Sequence, residues 1–137
     1  MNTFIRNLKE RVAKGKKKIV LPESDSRILS AAEEVKTEGF ACPILIGKKG
    51  ELVETASRYQ IDLEGIDILD PSQYPRIDEF ADHLAVGKGI RGMSRRQARN
   101  ILLGDPIYFG ASLVAFGLAD GMVAGAETLS PDILRAA

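Results

Sequence analysis

Four short apolar runs, each fenced by residues that break a strand, constrain this chain more than anything else in it. They are Ile19-Val20-Leu21 before Pro22, Ile44-Leu45-Ile46 before Gly47, the set Ile66, Ile68 and Leu69 before Asp70-Pro71, and Met122-Val123-Ala124 between Gly121 and Gly125. Runs of this length without alternation suit strands buried on both faces of a sheet. Helix-patterned segments separate them, and parallel neighbours need such crossovers. The expected fold is therefore α/β, a doubly wound, mostly parallel sheet with helices on both faces, since right-handed crossovers place helices on either side. Ligands in such sheets collect outside the carboxyl ends of the strands. Site residues are to be sought after Leu21, Ile46, Leu69 and Ala124.

The helical segments are legible from spacing and caps. Phe4, Ile5, Leu8 and Val12 form an amphipathic first helix that ends at Gly15. Ser24, Asp25 and Ser26 are candidate caps for a helix whose buried stripe is Ile28, Leu29, Ala32 and Val35, closed by Gly39. A third runs from Glu51 to Tyr59 with Leu52, Val53 and Ala56 inward, and a fourth from Ile77 to Ala85 carries His83, read as a surface or partly buried residue rather than a base. Gly87 to Gly92 is a flexible break. Ser94 caps a helix through Asn100, on which Arg95, Arg96 and Arg99 are read as a solvated face rather than a polyphosphate site. Asp105-Pro106 starts a helix, Ile107 to Phe116, that is apolar nearly all round. Gly110 and Ala111 would admit a close neighbour there, and part of that helix is expected to pack on protein outside this chain or on a second copy.

Gly117 to Arg135 carries the candidate site. After the run ending at Ala124, Gly125 permits a turn, Ser130 stands at an N-cap position, and Pro131 stands at the first helical position. Free N–H groups and the positive end of the helix dipole meet at such a junction, which can hold an anion. Thr128 and the planar guanidinium of Arg135 would complete a phosphate site with Gly125 and Ser130. An ordinary capped connection with a solvated arginine explains the same residues, and on this stretch alone both readings stand.

Composition narrows the partners. Nineteen basic and nineteen acidic residues cancel, so no long-range field gathers nucleic acid or anionic membrane. Lys14, Lys16, Lys17 and Lys18 are taken as a solvated connector and assigned no site. One cysteine, Cys42, and one histidine, His83, cannot assemble a Cys/His zinc site or an internal disulfide, and no metal is expected. No apolar run approaches the roughly 18 residues of a membrane span, and the amino end lacks the apolar core of a secretory signal. A cytoplasmic location is the expectation, with no nucleic-acid or membrane partner.

Several blocks carry a resemblance. Ile19-Val20-Leu21-Pro22-Glu23 followed by Arg27 to Ala32, Pro43 to Gly47, Lys88-Gly89, and Gly117 to Ala126 with Asp132-Ile133-Leu134-Arg135 occur in the order found in the amino-terminal part of the phosphate acetyltransferase and phosphate butyryltransferase family, which the chain resembles over essentially its whole length. The resemblance implies reversible acyl transfer between acetyl-CoA and inorganic phosphate, giving acetyl phosphate and coenzyme A. It implies no cofactor beyond those substrates, and a fold like that of the isocitrate and isopropylmalate dehydrogenases. It also implies a cleft between two α/β domains, of which residues 1–137 would be the amino-terminal one.

The departures matter as much. Family members run to well over twice this length, and the half expected to be absent supplies the serine, arginine and aspartate assigned to catalysis, so the catalytic residues of this chain are left unassigned. An arginine of the family falls on Ala85, a threonine on Ile133 and a histidine near Thr128, and the loop between Asp25 and Arg27 is one residue short. The chain is expected to be inactive alone, as a truncated product, a split subunit or an engineered piece. It would act as a homo-oligomer or with a partner carrying the missing half. A butyryl rather than acetyl preference, and a non-catalytic binding or regulatory module that kept the fold, are the alternatives.

Overall fold

The computed structural model describes residues 17–39, 41–87 and 93–124. The expected helix through Val12 and the candidate site residues Gly125, Thr128, Ser130 and Arg135 lie outside the described residues. In chain order the elements are β1 (Lys17–Leu21), α1 (Ser26–Glu38), β2 (Ala41–Ile46), α2 (Lys49–Arg58), β3 (Asp67–Leu69), a 3-10 turn (Pro71–Gln73), α3 (Ile77–Gly87), α4 (Arg95–Gly104), α5 (Pro106–Ala115) and β4 (Gly121–Met122).

The strands form one sheet in the order β3-β2-β1-β4, and every neighbouring pair is parallel. Pairing sets Val20 opposite Ile44 and Met122, and Leu45 opposite Ile68. Because successive side chains leave a strand on opposite faces, each run feeds two cores. Ile19, Leu21 and Leu45 pack with Ile28, Leu29, Ala32, Val35, Leu52 and Ala56 of α1 and α2. Val20, Ile44 and Ile46 pack on the other face with α3, α4 and α5 through Phe80, Leu84, Leu102, Phe109 and Leu113. Full burial of each large aliphatic side chain contributes about 1.5–3 kcal/mol, which is why runs of three or four residues suffice to seat the strands. The doubly wound α/β architecture is thus the one expected from the four apolar runs.

Caps fall where side-chain chemistry puts them. Of the three candidates ahead of α1, Asp25 is the cap, its Oδ1 accepting the Ile28 N–H at 3.1 Å, and Gly39 closes the helix at φ 75°. Ser94 and Gln97 form a reciprocal capping box on α4. Asp105 is an elbow: its N–H ends α4 on the Ile101 carbonyl at 2.8 Å, and its Oδ1 starts α5 by accepting from Ile107 N–H at 3.0 Å.

Four expectations need correction. Val53 is 46% exposed, because α2 meets the sheet along a single narrow line through Leu52 and Ala56 and turns Val53 away from it. Ile66 is buried, but it precedes β3 instead of belonging to it. Helix α4 continues past Asn100 to Gly104, since Leu102 still faces the core. Strand β4 is two residues long and half-buried, not buried on both faces, because it is the outer strand among the described residues.

Helix α5 differs from expectation in a more useful way. Its apolar girdle is largely covered inside this chain, with Ile107, Phe109, Gly110, Ser112 and Leu113 buried. Gly110 is the point of closest approach. A β-carbon built there would stand 2.8 Å from Met122 Sδ, 3.0 Å from Val20 Cγ1 and 3.3 Å from Ile46 Cδ1. The sheet and α5 touch over a bare backbone, while Ala111 is only half-buried.

Gly110→Ala is expected to destabilise the chain by about 1–3 kcal/mol, the usual cost of overpacking. Met122→Ala clears the nearest obstructing atom, so it should cost less in the Gly110→Ala background than in the wild type. A urea-unfolding double-mutant cycle reads this coupling, and strict additivity would place the clash on Val20 instead.

Candidate functional site

The carboxyl ends of the four strands open on one edge of the sheet, as parallel pairing requires. From β1 the chain steps outward to β2 and then β3, returns through α3 to α5, and pairs β4 on the opposite side of β1. Strand order therefore reverses between β1 and β4. In open α/β sheets the crevice outside such a reversal is where ligands bind, because the flanking connections leave in opposite directions.

The crevice has a wall from each strand. Beyond β1, Pro22 is buried, Glu23 half-buried and Ser24 exposed, leading to Asp25, whose Oδ2 also meets Arg27 Nη2 at 3.3 Å. Beyond β4, the Val123 N–H donates to the Val20 carbonyl at 2.9 Å, which carries the pairing one residue past the strand. Val123 and Ala124 are half-buried, and the next residue in sequence is Gly125. The expected anion-binding residues Gly125, Thr128, Ser130 and Arg135 thus follow directly from the strand end beside the reversal, though they lie outside the described residues. Farther along the edge, Gly47 (φ 147°) leads into Lys48, which caps α2 without a side-chain hydrogen bond, and Asp70 Oδ1 accepts from the Ser72 N–H and hydroxyl at 2.9 and 2.7 Å.

Other candidates fall away from this crevice. Lys17 and Lys18 of the basic cluster begin β1, so they stand at the opposite end of the sheet. Arg95 is held by Asp82 through two short bonds, Nε to Oδ1 at 2.6 Å and Nη2 to Oδ2 at 2.8 Å, and Arg99 reaches Asp78 at 3.4 Å. These arginines tie α4 to α3, and Arg96 is exposed. His83 is exposed and lies edge-on to the Phe116 ring at 5.3 Å. Ala85, where the resemblance would place an arginine, packs half-buried against the core beneath α3. Lys88 and Gly89 are outside the described residues. A groove of about 560 Å³ runs between α2 and the 61–66 loop, lined by Val53, Ile61, Leu63 and Ile68, on the β3 flank rather than beside β4.

Sequence patterning missed one contact, at the amino ends of the two strands that flank the reversal. Lys18 N–H donates to Asp120 Oδ2 at 2.8 Å and the Lys18 carbonyl accepts from Asp120 N–H at 2.8 Å. The only local sign is an aspartate-glycine step ahead of an apolar run. Among the described residues, no helix is long and apolar enough to cross a membrane.

The Arg95 hydrogen bonds, reinforced by its charge, hold the Asp82 carboxyl below its ordinary value of 3.8. A carboxyl depressed on folding stabilises the fold above its unfolded pKa, and that contribution fades as pH falls through the folded value. Asp82→Asn should therefore lower the melting temperature slightly at pH 7 and leave it equal to wild type once the pH is well below 3.8. Both side chains are exposed, so added salt should shrink the neutral-pH difference. Melting curves across pH and salt check this.

The family model described as phosphate acetyl/butaryl transferase matches residues 3–137. A phosphate acetyltransferase of Acetivibrio thermocellus is 38% identical over 136 residues, covering 98% of this chain and 40% of that protein. One from Bacillus subtilis is 35% identical over 138 residues, covering 100% of this chain and 42% of the relative. Among solved structures, a phosphotransacetylase from Streptococcus pyogenes superposes with a TM-score of 0.81 at 32% identity, over 99% of this chain and 42% of that one. The EutD phosphotransacetylase of Staphylococcus aureus superposes with a TM-score of 0.79 at 30% identity, over 97% and 40%. The chain spans about two fifths of the length of these relatives.

Proposed function

Because the chain belongs to the phosphate acetyl/butaryl transferase family, we propose that it forms one wall of a site for reversible acyl transfer between acetyl-CoA and inorganic phosphate. The single observation that carries this reading is the family match over residues 3–137, joined to a crevice at the β1/β4 reversal from which the chain runs into Gly125. In the forward direction a phosphate oxygen attacks the thioester carbonyl carbon, a tetrahedral oxyanion forms, and the carbon–sulfur bond breaks. Acetyl phosphate leaves with the new carbon–oxygen bond, and coenzyme A leaves as the thiolate, which takes up a proton. The reaction needs two anionic substrates aligned, fixed donors for the oxyanion, and a group to manage the thiol proton.

This chain's share is the first of these. Gly125, Thr128, Ser130 and Arg135 are proposed to bind phosphate or the phosphates of coenzyme A, through backbone N–H groups, two hydroxyls and a bidentate guanidinium. No carboxylate among the described residues is assigned as a base, and no metal or redox cofactor is invoked. The substrates are small molecules. A homo-oligomer, or a partner supplying the rest of the relatives' length, is proposed to complete the site, and the proposed location is the cytoplasm.

The isolated chain is expected to release no coenzyme A from acetyl-CoA in a phosphate-dependent manner. Turnover above background that Arg135→Ala abolishes would overturn that expectation. Phosphate titration followed by amide shifts tests the binding share: Arg135→Ala should weaken binding by about tenfold, the worth of one charge-assisted contact. Arg135→Lys should recover only part of it, since charge is kept and the fork is lost. Shifts centred on Lys14 to Lys18 would move the anion site to the other end of the sheet and sink the assignment.

A further inference from the structure

Lys18 and Asp120 are 102 residues apart and bonded twice, through the Lys18 N–H to Asp120 Oδ2 and the Asp120 N–H to the Lys18 carbonyl, each at 2.8 Å. In a parallel ladder, both main-chain groups of one residue face the same neighbouring strand. Strand β4 begins at Gly121, opposite Ile19, so no β4 residue stands opposite Lys18. The Asp120 carboxylate takes the place of the missing carbonyl. It extends a ladder that otherwise consists of Ile19↔Gly121 and Val20↔Met122.

So short a ladder needs such a pin. Met122 packs toward α3–α5 and Val123 toward α1 and α2. A slip of one residue would exchange them, drive Val123 against Gly110, and displace the strand end beside the crevice. Asp120 itself is exposed, so it contributes little packing of its own.

We propose that Asp120 is a positioning residue for the phosphate crevice, fixing β4 in register so that Val123 and Ala124 stay beside the end of β1. The proposal rests on reading that crevice as the anion site. Charge and position then predict opposite results. A carboxylate repels phosphate, so removing it on electrostatic grounds alone would tighten binding. Asp120 lies at the amino end of β4, about 13 Å from Ala124 at the usual rise per residue, where salt screens most of that repulsion. Loss of the pin should weaken binding despite the lost negative charge.

The test uses the full chain and inorganic phosphate at fixed salt, read by amide shifts. Asp120→Asn keeps an acceptor oxygen at the same reach without the charge, and it should bind phosphate within about twofold of wild type. Asp120→Ala removes the acceptor, and Asp120→Glu keeps the charge but moves the oxygens by a methylene. Both should bind about fivefold more weakly, on the scale of one main-chain hydrogen bond. Without phosphate, the Lys18 and Val123 amides should shift in Asp120→Ala and return in Asp120→Asn. Binding by Asp120→Ala as tight as wild type, or unmoved Lys18 and Val123 amides, overturns the positioning role while the crevice reading stands. If Asp120→Ala does not fold, equal affinity in the Asn and Glu variants overturns it. Failure of the unsubstituted chain to bind phosphate overturns the crevice reading and the proposal together.

Discussion

The contact on which the rest of the structure depends is the approach of α5 to the sheet at Gly110. Met122, Val20 and Ile46 come from three adjacent strands and all meet that one backbone position. With no side chain intervening, the helix lies low enough for Phe109 and Leu113 to be buried among Phe80, Leu84 and Leu102. The aromatic group of Tyr74, Phe80, Phe109 and Phe116 on this face has contacting ring centroids 4.7–5.7 Å apart, the ordinary spacing of packed aromatic pairs. Raising α5 would loosen this whole face at once. It would also loosen β4, whose Met122 is pressed from above by α5 and held from the side by β1.

The two faces of the sheet are built differently for a reason. On the α1/α2 face each helix follows its strand directly and returns at once, so small residues such as Ala31, Ala32, Ala41 and Ala56 let the helices lie flat on Ile19, Leu21 and Leu45. On the other face, three helices must bridge from the outermost strand, β3, back across to the far side of β1. Asp105 joins α4 to α5 in a single residue, and the Arg95–Asp82 and Arg99–Asp78 pairs lock α4 onto α3. The long crossover creates the reversal in strand order, and the reversal creates the crevice. Arg95 and Arg99, read from sequence as part of a solvated face, are paired with aspartates across that crossover.

What could be read from sequence was what local chemistry decides. Caps at Asp25, Ser94 and Asp105 follow from short polar side chains ahead of apolar stripes. The stripes of α1 follow from 3.6-residue periodicity, and the parallel sheet follows from unbroken apolar runs. Position relative to other elements was not legible. Val53 has the right spacing and the wrong neighbour, since periodicity identifies a face without saying how wide a surface will cover it. Strand order and the Lys18–Asp120 bonds join segments more than 100 residues apart, and nothing within either segment announces the other. At the candidate site, a strand ahead of Gly125 was anticipated from the apolar run and the glycines, but its place beside the reversal in strand order was not. The anion-binding residues themselves, Gly125, Thr128, Ser130 and Arg135, lie outside the described residues.

The distribution of charge bears on how such a crevice must work. Net charge is zero, and Lys17 and Lys18 stand at the amino end of β1, away from the proposed site. Among the described residues at the carboxyl edge, Glu23, Asp25 and Asp70 accompany Arg27 and Lys48, with no excess of cations. The phosphate recognition proposed for this wall then does not draw on a field of the described residues, which would tolerate small displacements of its sources. As proposed, it rests on directional donors, N–H groups and a planar guanidinium, whose strength falls steeply with misalignment. A site of that kind inherits the precision of the strand that presents it. For β4, with two residues of ladder, that precision comes from what lies around it: Gly110 above, Val20 beside and Asp120 at its start.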